Sequence, residues 1–357
     1  MTPEIDDLPH LKLSAFGSIR LVKKAYLLGH YTPVLKFGIV TYTSAKYGQR
    51  IMPAPIAIFA FNRPAHLQRT LDALAANYLA EKSHITIFCD GPRNDADRSK
   101  TDATRAVACA EIDAGRFASV STVIKQKNIG LAPSIIAGVT SILNIHERII
   151  VLEDDLLTSP FFLRYMNDGL EVYAKEENVA SIHGYGFPHA VSAPPETFFL
   201  PGADCWGWAT WRRAWRIFEN DAAVLLARID AQRLRRAFNV DGCYGYYELL
   251  EDARDGKVSS WAVKWHAAAF LAHKWTLHPS RSLVFNIGND GSGTHCGTTI
   301  GWDTKLSEEP VCVQPKPVVT DAIMYKAFKN FLLRDSGGRW RLFKRKLKRL
   351  LLACVTR

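Results

Sequence analysis

The stretch RIIVLEDD, residues 148–155, joins an apolar run directly to three consecutive acids. Such a run is typical of a strand that is covered on both faces of a parallel sheet. Open α/β sheets bind ligands at the carboxyl ends of their strands, where Glu153, Asp154 and Asp155 would lie. Clustered carboxylates repel one another unless a positive group neutralises them, and Mg²⁺ and Mn²⁺ prefer such oxygen ligands. An acidic surface turn is the simpler alternative, because charged runs usually face solvent.

The segments upstream repeat this layout three times. Apolar runs at 55–61, 84–89 and 119–124 predict strands, and helical patterns follow them at 66–77, 98–113 and about 134–146, the last with Ser134 as a possible cap. Strands that alternate with helices predict a parallel sheet with crossover helices. The sequence therefore predicts an α/β fold with a mostly parallel central sheet and flanking helices.

Each predicted strand is followed by a polar group that can bind a ligand. Arg63, Asp90 and Asn128 follow the first three strands, and the acids follow the fourth. Four such ends on one edge of a sheet predict a nucleotide site. The sequence contains neither the glycine pattern of a dinucleotide fold after the first strand nor a phosphate-binding P-loop, which argues against those two classes.

The order of short motifs resembles the GT-A fold of nucleotide-diphospho-sugar transferases. FNR at 61–63, DG at 90–91, NIG at 128–130 and VLEDD at 151–155 are similar to the N-acetylglucosaminyltransferase I family and to family 2-like sugar transferases, the acids standing for the Asp-x-Asp motif. FLPGADCWGW at 199–208, and NIG at 286–288 with GSGTH at 291–295, extend the likeness. The resemblance implies a bacterial glycosyltransferase with a GT-A fold.

The resemblance also implies roles for individual residues. Asp155 would be the principal ligand of Mn²⁺ or Mg²⁺, and His295 would supply a further ligand or a donor to the diphosphate. Asp154 and Glu153 would contact the ribose and the donor sugar, and Asp90 would contact a base expected to be uracil. The donor-binding set is Asn62, Arg63, Asp90, Asn128, Glu153 and Asp154.

The acceptor side is implied to use inversion, with a carboxylate that takes the proton from the acceptor hydroxyl. Asp252 is the first candidate for this base and Glu251 the second, with a solvated helix end as the alternative. The family carries its base beside a tryptophan, but the corresponding stretch here, SSWAVKW at 259–265, contains no acid. Trp206 and Trp208 are predicted to stack on the acceptor sugar.

Net charge is distributed unevenly along the 357 residues. The chain carries +10 overall, of which residues 339–357 contribute +8 and residues 1–50 contribute +4, so residues 51–338 carry −2. A near-neutral centre argues against a nucleic-acid binder. The C-terminal segment spaces Trp340, Phe343 and Leu347 at helical intervals among basic residues, which predicts an amphipathic helix on anionic lipid or, alternatively, on the protein's own surface.

These patterns predict three parts: a basic extension at 1–50, a catalytic domain at 51–320 and a basic helical tail at 321–357. Seven scattered cysteines and an N-terminus without a signal-peptide pattern suggest the cytoplasm, and the tail suggests the inner face of the bacterial membrane.

Three functions fit the pattern. The first is a metal-dependent inverting transferase that acts on a surface-polysaccharide or lipid-linked acceptor, and it uses a nucleotide-diphosphate sugar, expected to be UDP-linked. The others are a sugar nucleotidylyltransferase and a non-catalytic nucleotide-sugar-binding protein of the membrane surface.

Overall fold

The computed structural model describes residues 52–288, 302 and 304–335. The N-terminal extension, His295 and the basic segment 339–357 lie outside these residues. None of the helices in the described part of the chain combines the length and the hydropathy that a bilayer crossing requires.

Ten strands and ten helices, with one 3₁₀ turn at Ala80–Lys82, make up the described chain. The strands are β1 Ile56–Ala60, β2 His84–Cys89, β3 Ser119–Ile124, β4 Arg148–Glu153, β5 Leu156–Thr158, β6 Val179–His183, β7 Thr197–Pro201, β8 Trp208–Trp211, β9 Trp275–Pro279 and β10 Val284–Asn286. The helices are α1 Pro64–Ala75, α2 Asp95–Asp113, α3 Leu131–Ile145, α4 Phe162–Val172, α5 Arg212–Trp215, α6 Ala222–Ala231, α7 Arg235–Phe238, α8 Tyr246–Arg254, α9 Trp261–Leu271 and α10 Ala322–Asp335.

Eight strands form the central sheet in the order β3-β2-β1-β4-β8-β6-β9-β7, and β10 pairs with β5 beside it. The first four strands of this order are parallel. β8 is antiparallel to both β4 and β6, so β6 and its parallel partner β9 again run in the direction of β1. The predicted α/β class is confirmed, and six strands direct their carboxyl ends to one edge of the sheet.

Two hydrophobic cores lie on opposite faces of this sheet, since successive side chains of a strand point to opposite faces. Ile56 and Ile58 of β1 belong to one core, and Ala57 and Phe59 belong to the other. Helices α1, α4 and α10 supply buried residues to the first face, and α3, α6 and α9 to the second. Both faces are covered, which explains the uninterrupted apolar runs of the sequence.

The start of α3 differs from the prediction. Gly130, with φ at 87°, is the N-cap, and the Ser134 N–H donates to the Gly130 carbonyl at 3.1 Å inside the first turn. Gly130 can adopt this left-handed conformation without steric cost, so the loop turns sharply there and the helix begins at Leu131. Ser134 is therefore a residue of the helix and not its cap.

Helix α10 belongs to the packed domain, although its residues fall in the segment predicted as a tail. Met324, Phe331 and Leu332 are buried, and the Phe331 ring lies 5.6 Å from the ring of Phe187. Burying large apolar side chains contributes roughly 1.5–3 kcal/mol each relative to exposure. The described chain therefore continues its core through α10, beyond the predicted boundary at residue 320.

Candidate functional site

A cleft of about 260 Å³ lies at the carboxyl edge of the parallel strands. Strands β1, β2 and β4 end side by side there, so the polar groups that follow them converge. All seven residues predicted from strand ends line this cleft: Asn62, Arg63, Asp90, Asn128, Glu153, Asp154 and Asp155. The structure thus brings together the predicted donor-binding residues and the predicted metal ligand Asp155.

Arg63 connects the acidic run to the end of β1. Its guanidinium donates to Asp154 and lies 2.9 Å from an Asp155 carboxylate oxygen. The Phe61 N–H also donates to the Asp154 side chain, at 3.3 Å. Asp154 therefore holds the β1 end and Arg63 in place, whereas the Glu153 carboxylate forms no hydrogen bond within the described chain.

The charges in the cleft do not balance. Within the acidic run, three ionised carboxylates set three negative charges against the positive charge of Arg63, since Arg93 of the same wall is paired with Asp97. Burial, followed by repulsion from Asp155 and Asp154, raises the pKa of Glu153 to about 8. Burial also raises the pKa of Asp154 to about 6, and the charge of Arg63 opposes that change. A divalent cation would compensate the two excess negative charges of the fully ionised triplet, and the all-oxygen donor set fits Mg²⁺ or Mn²⁺.

The chain that follows β10 reaches the same carboxylate. The Ile287 N–H donates to the Asp155 carbonyl at 2.8 Å, and a Cβ on Gly288 would lie 2.2 Å from Asp155 Oδ2. A larger residue at this position would have to displace the Asp155 carboxylate and the Arg63 guanidinium. Residues 289–301, which include His295, lie outside the described chain.

Asp90 has a different position from the one predicted for a base contact. Its carboxylate accepts from the backbone N–H groups of Gly91, Ile129 and Gly130 and from the Asn128 side chain, at 2.8–3.2 Å. A carboxylate offers about four lone-pair sites, so these donors occupy its capacity. Asp90 and Asn128 therefore hold the 128–130 loop against β2, which does not support the prediction that Asp90 binds the base.

Other residues of the cleft wall were missed by sequence reasoning. Arg93 lies over the Phe61 ring at 5.0 Å and donates through Nε to Asp97 at 2.6 Å, and Asn62 donates to the same carboxylate. Ser259 contributes from the loop before α9. The motif FNR pointed to part of this wall, but no local pattern in the sequence indicates that Arg93 and Ser259 lie beside it.

The two predicted acceptor tryptophans occupy unlike positions. Trp208 is 1% exposed and lies in β8, with its ring 5.3 Å from that of Trp261 and 6.1 Å from that of Trp265. This core position does not support an acceptor contact. Trp206 is half-buried and packs edge-on against Tyr185 at 5.0 Å, so part of its ring remains available to a ligand.

The candidate bases Glu251 and Asp252 lie in the last turn of α8. The Asp252 carbonyl accepts from the N–H groups of Lys257 and Val258, which ties the helix end to the loop that carries Ser259. Within the described chain, neither acid contributes to the cleft wall. The Glu248 carboxylate accepts hydrogen bonds from Asn239 at 2.9 Å and from Arg235 at 3.2 Å, so its role is structural.

A second polar cluster lies at the same edge of the sheet, beyond β8. It consists of His183 from β6, His278 from β9 and Asp204 from the loop between β7 and β8. Burial lowers the pKa of each histidine to about 3 and raises the pKa of Asp204. Each histidine comes near the end of a strand, but the sequence does not show that the two strands are neighbours.

No family model matches the chain, and no curated protein matches it. The structure is similar to that of S. aureus TarS 1-349, with 10% identity, 66% of this chain and 61% of the TarS chain covered, and a TM-score of 0.37. It is also similar to the mannosyltransferase PcManGT from Pyrobaculum calidifontis in complex with GDP-Man and Mn²⁺. The identity is 12%, the match covers 62% of this chain and 70% of the PcManGT chain, and the TM-score is 0.34.

A third similar structure is S. aureus TarS 1-349 in complex with UDP-GlcNAc. The identity is 9%, the match covers 45% of this chain and 46% of the TarS chain, and the TM-score is 0.30. The present chain thus spans about three fifths of the first TarS structure. At these scores and identities the likenesses carry no argument about activity, which must come from the site.

Proposed function

We propose that this protein is a metal-dependent inverting glycosyltransferase of the GT-A type. It transfers a sugar from a nucleotide-diphosphate sugar to a hydroxyl of a surface-polysaccharide or lipid-linked acceptor. The observation that carries the proposal is the meeting of Glu153, Asp154, Asp155 and Arg63 in one cleft at the carboxyl edge of the sheet.

In this proposal Asp155 is the main ligand of a divalent cation. The bound cation neutralises charge on the leaving diphosphate. Arg63, held by Asp154, meets the nucleotide. Glu153 accepts hydrogen bonds from the sugar of the nucleotide-diphosphate sugar, because its carboxylate accepts none within the described chain. The nucleobase of the donor lies against the wall made by Phe61, Asn62 and Arg93. Asp90 does not bind it, because hydrogen bonds from the 128–130 loop already occupy its carboxylate.

Donor binding is expected to raise the melting temperature only when the cation is present. A ligand at 100 times its Kd stabilises the folded state by about 2.7 kcal/mol, which corresponds to a shift of several degrees for a domain of this size. UDP-GlcNAc, GDP-Man and other nucleotide sugars would be screened by thermal shift with and without Mn²⁺. The free sugars serve as controls. An unchanged melting temperature with every nucleotide sugar would contradict the proposal.

The same protein samples separate the two alternatives. Release of pyrophosphate from a nucleoside triphosphate and a sugar phosphate would indicate a nucleotidylyltransferase. Donor binding without any release of the nucleoside diphosphate, even with added acceptors, would indicate a non-catalytic binding protein.

Asp252 is our first candidate for the acceptor base, with Glu251 second. Asp252→Asn is expected to lower kcat by about 10²–10⁴, as is typical when a general base is lost, while the donor Kd stays near its normal value. Asp255→Asn is the matched control, because this exposed acid lies one turn away and pairs with Arg254 and Lys257. Steady-state transfer and donor titration provide the two readouts.

A larger loss of kcat in Glu251→Gln than in Asp252→Asn would assign the role of base to Glu251. A collapse of donor affinity in Asp252→Asn would place Asp252 in the nucleotide site.

We further propose that residues 339–357, outside the described chain, attach the enzyme to the inner face of the bacterial membrane. Truncation after Ser336 spares α10, whose apolar residues are part of the core. The full-length protein is expected to bind anionic vesicles less tightly as salt rises, since each basic residue contributes about 1 kcal/mol and salt screens it. Co-sedimentation with vesicles measures this. Equal binding by the truncated protein would reject the anchor.

A further inference from the structure

The cluster of His183, His278 and Asp204 has the arrangement of an ion site that differs from the acidic cleft. Ile182 pairs with Leu277 in the parallel strands β6 and β9, so the next residues, His183 and His278, lie side by side. The loop between β7 and β8 brings Asp204 to them. Both histidine side chains are buried, and Asp204 retains 34% of its side-chain exposure.

Two of the three distances between the donor atoms match those in a tetrahedral metal site. The two Nδ1 atoms are 3.3 Å apart, and His183 Nδ1 lies 3.6 Å from Asp204 Oδ2, with all three atoms within 4.8 Å of one another. Metal–ligand bonds of about 2.0–2.2 Å place tetrahedral ligands about 3.3–3.6 Å apart. Without an ion, a hydrogen bond between the two Nδ1 atoms accounts for the 3.3 Å contact, but the 3.6 Å separation of His183 from Asp204 is too long for one.

We propose that His183, His278 and Asp204 bind one ion of the Zn²⁺ class, with a fourth position open to solvent beside Asp204. Two imidazole nitrogens and one carboxylate oxygen are a donor set that suits Zn²⁺ and Co²⁺, whereas the all-oxygen cleft at Asp155 suits Mg²⁺ and Mn²⁺. Three protein ligands leave a coordination position for water or a ligand, as in catalytic zinc sites. The site stands independently of the proposed transferase activity.

Ion binding in this arrangement is coupled to the Trp206 loop. His183 Nε2 accepts from the Trp206 N–H at 3.2 Å, so without an ion the ring carries its proton on Nδ1. A metal at Nδ1 shifts that proton to Nε2, where it faces the Trp206 N–H. The Trp206 amide must then turn away, which links the ion to a half-buried tryptophan at the surface.

The test uses tag-free, full-length protein that has been treated with a chelator and titrated with Co²⁺ and then Zn²⁺. We expect one Co²⁺ per chain with the visible absorption of tetrahedral coordination, displaced by Zn²⁺. His278→Ala and Asp204→Asn should each weaken binding by more than about 100-fold, since even partners outside the first shell cost about 10–100-fold. Circular dichroism checks that the variants fold, and Asp204→Asn, at a partly exposed position, keeps the test valid if His278→Ala does not.

Three control variants locate the ion. His84→Ala removes an exposed histidine of β2, His295→Ala removes the predicted ligand of the other site, and Asp155→Asn alters the acidic cleft. All three should retain the Co²⁺ signal. Loss of the signal in Asp155→Asn or His295→Ala, with retention in His278→Ala, would overturn the proposal by placing the ion in the cleft. Absence of any tetrahedral Co²⁺ spectrum in the wild-type protein would overturn it as well.

Discussion

Asp155→Asn is expected to lower sugar transfer by about 10³-fold or more while the protein remains folded. In our proposal this carboxylate holds the cation that neutralises the leaving diphosphate, a stabilisation worth several kcal/mol in the transition state. Arg63 keeps its partner Asp154 in the variant, so the end of β1 stays attached to β4. Transfer assays with Mn²⁺, together with the Mn²⁺-dependent thermal shift on donor addition, measure the loss.

The control for this variant is Asp102→Asn, which removes an exposed carboxylate from α2. It should change neither transfer nor the thermal shift. Near-wild-type transfer by a folded Asp155→Asn protein would rule out Asp155 as the main metal ligand. An equal loss in both variants would indicate that the assay reports stability and not the cation.

Arg63→Met is expected to reduce the free energy of unfolding of the metal-free protein by about 3–5 kcal/mol. Arg63 contacts Asp154 and Asp155, whose side chains are 3% and 10% exposed, so its removal leaves buried carboxylates without a positive partner. Methionine keeps the apolar part of the side chain, so the change reports mainly charge and hydrogen bonding. Urea unfolding in the presence of a chelator measures the difference.

The matched control is Arg93→Met in the same cleft wall. The Arg93 side chain is 52% exposed and pairs with Asp97, and exposed pairs of this kind contribute about 0–1 kcal/mol. Mn²⁺ should recover part of the stability of Arg63→Met, because a bound cation replaces the lost positive charge and stabilises the folded state by mass action. A change below 1 kcal/mol in Arg63→Met, or no response to Mn²⁺, would show that the acids are not an electrostatic unit.

Sequence patterns predicted the part of the site that comes from consecutive strand ends. Arg63 and Asp154 are 91 residues apart, yet strand–helix alternation predicted that both follow strands ending at the same edge of the sheet, whereas the pairing of β1 with β4 came from the structure. Asp90 lines the cleft, but its saturation by the 128–130 loop depends on backbone N–H directions that residue types do not specify.

The second half of the sheet was less predictable. The sequence indicated no antiparallel strand between β4 and β6. Trp208 was therefore predicted to contact the acceptor, whereas the structure buries it within β8. His183 and His278 are 95 residues apart and meet because β9 pairs with β6, a choice of strand neighbour that no local pattern encodes.

The sequence by itself determined the fold class and the acidic edge. Continuous apolar runs form buried strands whatever the order of the strands in the sheet. Polar residues that follow such strands lie at the carboxyl edge of the sheet. The tertiary structure alone decided which strands are neighbours, which acids are saturated and which tryptophans are buried. These outcomes depend on pairings between distant segments, where the free energy comes from packing and hydrogen bonds across the whole sheet and not from any one stretch of residues.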